Sequence, residues 1–458
     1  MIDREQMIKK YVEVLRCGRA ALFLGAGLSK PVGFFDWKEL LREPAKELGL
    51  NVDKEHDLIG LAQMYVLRKG NRGGLTQEIL NHFGKDVTGT ESHRIITRLP
   101  LSNIWTTNYD LVIEETFRQE GISVNVVRDD DALAYSNVNA PVTIYKMHGD
   151  VSQLNGIVLT RDDYEFYDTR RSAMSSAFYC ALVEHTFLFL GFSFNDPNLQ
   201  KVFGRIRAIF RENSREHFTI MRRPQPGDDD YQYEKNKFEL FVDDLKRYNI
   251  QTVAVDDYGG IADILGSIEK EYYKKNIYVT GLGGDNTACG RNFYHFLRRL
   301  GKYTIVEGYN LTCGFDSIID THVLAGAMEQ LYKSGKSIEF FARFNLVPCI
   351  GNSPDLLLKY KEDMIKRSGC CIFTGNCNPQ VGGEMLMKEY QIASKLGKLI
   401  IPVSAGHGGV IKDIWNLERD RYKKFNQNAQ KAYQVLADAE KNNAEIIQAV
   451  FTITSLEI

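Results

Sequence analysis

Gly25-Ala26-Gly27-Leu28-Ser29 follows directly on the apolar run Ala20-Ala21-Leu22-Phe23-Leu24, and the reading of the fold turns on this junction. A short, continuous apolar run is the pattern of a strand buried on both faces of a parallel sheet. Gly25 and Gly27 carry no Cβ, so the turn leaving that strand can be tight and its backbone can come close to a diphosphate. A helix opening soon afterwards would turn free N–H groups toward the anion.

Two more polar segments stand at the ends of apolar runs. Thr106-Thr107-Asn108-Tyr109-Asp110 follows Ile104-Trp105, and Lys146-Met147-His148-Gly149-Asp150 follows Val142-Thr143-Ile144-Tyr145. In open α/β sheets the carboxyl ends of the strands are where ligands bind. Taken alone, Asn108 fits a turn or cap residue, and His148 before Gly149 fits a hydrogen-bonded structural histidine. Three such segments in this order are much harder to explain that way.

In these segments the chain resembles the sirtuin family. Gly25-Ala26-Gly27-Leu28-Ser29 through Gly33-Phe34-Phe35-Asp36-Trp37 is similar to the sirtuin GAGxS…GxPDF signature, with Phe35 in place of its proline. Thr107-Asn108-Tyr109-Asp110 is similar to QNxD with threonine for glutamine, Met147-His148-Gly149 to HG, and Gly191-Phe192-Ser193 to the GTS that contacts the cofactor ribose. The likeness covers roughly residues 1–270 and is specific as an ordered set. It implies Asn108 and His148 as catalytic residues and Gly25, Ala26, Gly27, Ser29, Asp36, Asp110, Gly191 and Ser193 around bound NAD.

Deacylating sirtuins carry a zinc ribbon of two CxxC pairs between the HG and GTS segments. Only Cys180 lies there, and none of the eight cysteines forms a CxxC pair. A structural zinc needs four ligands, so no metal is expected and acyl-lysine binding is disfavoured. The remaining chemistry needs little machinery. The nicotinamide of NAD is a cationic leaving group that departs neutral, so no general acid is required. The resemblance implies that Asn108 orients the water or the ribose and that a neutral His148 acts as general base. Asp110 fits a role in holding the loop or ribose rather than in attack.

At 458 residues, with 44% hydrophobic and 25% charged residues, the chain reads as a globular protein of two domains. Lys plus Arg number 57 against 59 Asp plus Glu, a net charge of -2, which gives no basic excess to suggest a nucleic-acid partner. After a polar start, Met7, Ile8, Tyr11, Val12 and Leu15 recur at helical spacing, the pattern of an amphipathic helix and not of a signal peptide. No apolar run reaches the roughly 18 residues a bilayer span requires. Scattered cysteines without a secretory signal suggest reduced thiols in a cytoplasm. Cys370, Cys371 and Cys377 read as buried thiols near a strand rather than metal ligands.

The turn Asp256-Asp257-Tyr258-Gly259-Gly260, followed by a helical pattern from Ile261 to Tyr273, is the boundary candidate. A second α/β pattern begins at Asn276 and fills 276–458. It has a strand at Ile277–Thr280, the glycine turn Gly281-Leu282-Gly283-Gly284-Asp285, a helix from Ala288 to Leu300, and strands near Tyr303–Val306, Cys370–Thr374 and Lys398–Val403. Two doubly wound, Rossmann-like α/β domains are therefore expected.

The second half resembles the SLOG family of nucleotide-sensing domains. The carrying residues are the Gly281–Asp285 turn, Arg343, Thr374-Gly375-Asn376, the segment from Lys388 to Ala393, and the segment from Gly397 to Val403. The enzymatic members' PGGxGTxxE is not reproduced by Asn378-Pro379-Gln380-Val381-Gly382-Gly383, which favours sensing over phosphoribohydrolase activity. The pairing of the two halves resembles the effectors of the Thoeris antiphage system. That likeness implies a cytoplasmic bacterial NADase and a homo-oligomer, commonly a tetramer. It further implies activation by a cyclic ADP-ribose isomer that a TIR-domain partner makes. Gly281, Gly283, Asp285, Arg343 and Glu389 are then expected to bind the signal, Arg343 by pairing with phosphates and Glu389 by accepting from ribose hydroxyls. Arg343 and Glu389 also fit ordinary surface ion pairs.

Overall fold

The computed structural model describes residues 1–85, 87–135, 139–283, 287–314, 317–335, 343–346, 353–375, 383–404 and 409–456. The chain divides into two compact units, Met1–Glu271 and Tyr272–Ile458.

In the first unit β1 (Ala20–Leu24), β2 (Asn103–Thr106), β3 (Val124–Val127), β4 (Val142–Lys146), β5 (Thr186–Leu190), β6 (His217–Arg222) and β7 (Ile250–Val255) form one parallel sheet in the order β3-β4-β2-β1-β5-β6-β7. Every residue of β1 and β5 is buried, which explains why both read as unbroken apolar runs rather than alternating ones. Aromatic side chains fill one face of the sheet. Trp105 stacks on Tyr145 with ring centroids 3.9 Å apart, and Phe23, Phe178, Phe187 and Phe189 pack beside them.

The amino-terminal helix Arg4–Arg16 buries Met7, Ile8, Tyr11, Val12 and Leu15, the residues its spacing selects, and Asp3 caps it. The turn at 256–260 leads into a helix, Gly259–Tyr273, most of which lies in the first unit. Glu269 pairs with Arg98 at 2.6 Å, Ser267 accepts from Arg4 at 3.1 Å, and the Glu271 carbonyl accepts from Arg16 at 2.8 Å. Polar anchors in the second half of the helix hold it to the first unit.

In the second unit β8 (Asn276–Leu282), β9 (Asn310–Cys313), β10 (Phe344–Leu346), β11 (Cys370–Gly375) and β12 (Leu399–Val403) are parallel in the order β10-β9-β8-β11-β12. The strand expected near Tyr303–Val306 is the last turn of a 20-residue helix, Thr287–Val306. Phe293, Phe296, Leu297 and Leu300 are all buried, so the apolar period is helical, and Thr304 Oγ1 donates back to the Leu300 carbonyl. That helix lies close against Ile318–Lys333. A Cβ on Gly301 would fall 1.9 Å from the Val323 carbonyl oxygen. Cys370 and Cys371 are buried within β11, while Cys377 lies outside the described residues.

Both sheets share one device. The chain lays strands to one side of a central strand, β1 or β8, and then crosses to the other side, so a crevice opens over the carboxyl ends of β1 and β5 and of β8 and β11.

Candidate active site

At the first crevice the loops leaving β1 and β5 interlock. Gly25 N donates to the Leu190 carbonyl at 2.8 Å and Gly27 N to the Gly191 carbonyl at 2.9 Å. A Cβ on Gly25 would sit 2.4 Å from the Gly191 oxygen, and one on Gly191, whose φ is +63°, would sit 2.3 Å from Leu28 N. These glycines serve contact between the two loops. Their N–H groups are thereby engaged. A helix does open directly after the turn, as a single turn from Ala26 to Ser29. Ser193 is exposed on the β5 loop. Asp36 caps the turn Trp37–Leu40 by accepting from Glu39 N at 2.9 Å and pairs with Lys30 at 2.6 Å. Burial pushes its carboxyl up, but Lys30 and the backbone donors outweigh burial and hold it below the usual range.

Register sets the loops that carry the two principal residues at neighbouring strand ends. β2 and β4 pair Thr106 with Lys146, so Asn108 and His148 each stand two residues beyond the paired position on strands about 5 Å apart. Thr106 Oγ1 donates to the Leu24 carbonyl at 2.8 Å and accepts from Asn108 N at 2.9 Å, which clamps the loop to the end of β1. Asn108 Nδ2 donates to Ser29 Oγ at 3.2 Å, and its carboxamide oxygen has no partner among the described residues. Asp110 is buried and accepts from Val112 N at 3.1 Å, bracing the start of the helix Val112–Gln119. Ser29, His93, Thr106, Asn108, Asp110 and Lys146 line a small cavity of about 10 Å³, close to the room one water needs.

His148 is buried, with the rings of Tyr164 and Tyr167 edge-on to it at 5.5 and 6.3 Å. Its Nε2 lies 3.2 Å from Oδ2 of Asp196. The other carboxylate oxygen of Asp196 accepts from Asn198 N and Leu199 N and so caps the helix Pro197–Phe210. Burial pushes the Asp196 carboxyl up, yet His148 and those backbone donors prevail and leave it below its ordinary value.

In the second unit Gly281 and Gly375 repeat the close approach. A Cβ on Gly281 would lie 1.6 Å from the Thr374 carbonyl oxygen. Glu389 lies beneath this turn and is 1% exposed. It accepts from Tyr278 Oη and Thr280 Oγ1, both at 2.8 Å, and pairs with Lys361 at 2.6 Å, so it is no surface ion pair. Gly283 follows on the exposed loop, and Asp285 lies outside the described residues. Arg343 stands apart. It precedes β10 at the amino end of the sheet, level with Asn276, and donates to the Tyr309 and Ile305 carbonyls at 2.7 and 3.3 Å. Gly281 is five residues further along, about 16 Å at 3.3 Å per residue. The expected grouping of Arg343 with Gly281 and Glu389 is therefore corrected, because its guanidinium is engaged by carbonyls at the opposite end of the strands.

Residues 102–250 match the SIR2-like domain, and residues 260–456 match the Sir2- and TIR-associating SLOG family. Over 97% of this chain and 95% of the relative, the sequence is 35% identical to the NAD(+) hydrolase ThsA of Bacillus cereus (strain MSX-D12). The chain belongs to the ThsA family. It is also 33% identical to the NAD(+) hydrolase ThsA of Enterococcus faecium over 99% of this chain and 98% of that one. Defense-associated sirtuin 2 of Bacillus subtilis is 24% identical over 58% of this chain, and the match covers 27% of that protein.

Within this ThsA-family chain the residue that sequence reading passes over is Asp196, because Asn195-Asp196-Pro197-Asn198 reads as a turn or helix start. The one available signal was its place just past Gly191-Phe192-Ser193, at the end of a strand. Among the described residues no group of three or more His, Cys, Asp or Glu is placed to hold a metal ion, and no helix is long and apolar enough to cross a membrane.

Proposed function

We propose that the chain is an antiphage effector that hydrolyses NAD+ to nicotinamide and ADP-ribose when a cyclic ADP-ribose isomer binds its second unit, so depleting cellular NAD. The observation that carries this reading is that Asn108 and His148 follow adjacent strand ends at a strand-crossover crevice, with Asp196 3.2 Å from His148, in a chain of the ThsA family.

The C1′–N bond to nicotinamide breaks with its electron pair going to the ring nitrogen, which leaves neutral and needs no acid. A water oxygen adds to C1′, and its proton passes to His148, whose imidazolium faces the Asp196 carboxylate. The unpartnered carboxamide oxygen of Asn108 orients the water or a ribose hydroxyl. Ser29, Asp36, Asp110 and Ser193, with the backbone of Gly25, Ala26, Gly27 and Gly191, shape the NAD site.

Gly281, Gly283, Asp285 and Glu389 form the signal site, and a TIR-domain partner supplies the signal. The protein works in the bacterial cytoplasm as a homo-oligomer, a tetramer on the likeness to Thoeris effectors. To switch the enzyme nearly completely, the signal must prefer the active arrangement by on the order of 3–5 kcal/mol.

The test is NAD consumption by the purified chain, with and without cyclic ADP-ribose isomers and with Asn108→Ala as control. Release of nicotinamide and ADP-ribose that depends on the signal and disappears in the variant supports the reading. Turnover that requires an acyl-lysine peptide would replace it with a deacylase or transferase, and no turnover at all with a non-catalytic sensor.

A further inference from the structure

Lys146 closes β4, and its side chain is 0% exposed. An ammonium group is held in a protein interior only when it is paired and hydrogen-bonded. Its Nζ donates to the Asp110 carbonyl, lies 2.9 Å from Oε1 of Glu114 and stands 3.9 Å from Oδ2 of Asp150. Those three groups belong to different parts of the site. Asp110 ends the loop that carries Asn108, Glu114 sits on the helix that this loop enters, and Asp150 ends the loop that carries His148. Asp150 is in turn fixed by Arg128 at 2.7 Å and by Ser152 N at 3.0 Å. A backbone bond from Val151 N to the Tyr109 carbonyl, 3.0 Å long, joins the same two loops.

We infer that Lys146 is a positioning residue for NAD hydrolysis, a buried cation that holds the Asn108 loop and the His148 loop in one register. The inference rests on the hydrolase reading above. Lys146 and Arg128 balance Glu114 and Asp150, so the cluster adds no net positive charge behind a site that must accept the cationic nicotinamide ring. Lys146 is also the residue that register pairs with Thr106, which clamps the Asn108 loop from the β1 side. The Asn108 loop is therefore fixed by a hydroxyl on its β1 side and, on its β4 side, by an ammonium that also faces the His148 loop.

The test compares signal-activated wild type with Lys146→Met, with Lys146→Met/Glu114→Gln, which removes one of the carboxylates left buried, and with Lys146→Arg. Each is measured for kcat, KM for NAD, and Tm. A displacement of about 1 Å at the reacting groups lowers kcat roughly 100-fold. The expected result is a loss of that size in the double variant, with KM for NAD within about threefold and Tm within a few degrees of wild type, and partial recovery of kcat in Lys146→Arg. Undiminished kcat in a folded Lys146→Met variant overturns the inference and leaves the hydrolase reading intact. If neither Met-containing variant folds, or if kcat falls only in proportion to the folded fraction, the lysine is a folding element and the inference falls. If wild type hydrolyses no NAD under any condition, the hydrolase reading fails and takes the inference with it.

Discussion

Oδ2 of Asp196 lies 3.2 Å from Nε2 of His148, while its Oδ1 caps the helix Pro197–Phe210. One carboxylate thus faces the imidazole at ion-pair distance and is itself held by backbone N–H groups, so the charge beside the ring is placed by helix geometry rather than by a flexible side chain.

Asp196→Asn separates these two duties. Asparagine is as good a helix cap as aspartate, so the helix is expected to survive, with Tm within about 2 °C of wild type. The negative charge facing His148 is lost, and kcat for nicotinamide release is expected to fall by roughly 100-fold, within the span of general-base contributions. Unchanged kcat would show that His148 works without its carboxylate.

Asn108→Ala is expected to abolish nicotinamide release at little cost to the fold, because the side chain gives up one hydrogen bond, to Ser29, worth about 1 kcal/mol. Ser29→Ala removes the acceptor that steadies the carboxamide, and a smaller loss of kcat, about tenfold, is expected. Steady-state assays with thermal melts distinguish the two.

Gly191→Ala tests the interlocked loops. The added methyl meets Leu28 N at 2.3 Å on a residue with φ of +63°. A cost of about 3 kcal/mol or more is expected, read as a Tm lowered by several degrees together with a raised KM for NAD. A neutral outcome would mean that the β1 and β5 loops part freely.

Glu389→Gln keeps the shape of the second-unit cluster and removes its charge. The concentration of cyclic ADP-ribose isomer needed for half-activation is expected to rise about tenfold, because the buried carboxylate that steadies Tyr278, Thr280 and Lys361 beneath the Gly281 turn loses its charge. An unshifted activation curve would place the signal elsewhere.

Stability is expected to fall on mild acidification. Burial lowers the imidazole of His93 to about 4 and that of His217 to about 3, and each Nδ1 accepts a backbone N–H, from Thr90 and Phe187 respectively. Both rings are held neutral in the fold and titrate near their ordinary 6.5 when unfolded. Their contribution is therefore complete above pH 6.5 and is lost as pH falls toward 4, on the order of 3 kcal/mol for His93 alone. Melting curves across that window check the sign, and His217→Asn is expected to flatten the decline.

Much of this was legible in the chain. The strand of Ala20–Leu24, the polar strand ends at Asn108 and His148, and the helix with Met7, Tyr11 and Leu15 inward all follow from local pattern, because burial on both sheet faces or on one helix stripe imprints a period on neighbouring residues. The helix Thr287–Val306 was foreshortened because Tyr303-Thr304-Ile305-Val306, rich in β-branched residues, favours strand locally. Packing on Ile318–Lys333 overrides that preference.

By itself the sequence determined the two parallel α/β sheets, the order of the strand-end segments and the lack of paired CxxC ligands, since each is a matter of adjacent residues. Tertiary structure alone decided that Asp196 faces His148, that Lys146 meets groups from both the Asn108 and His148 loops, that Gly25 packs on Gly191, and that Arg343 lies at the opposite end of its sheet from the Gly281 turn. Those relations join residues dozens to more than a hundred positions apart, and their distances are set by strand register and loop closure, which no local pattern encodes.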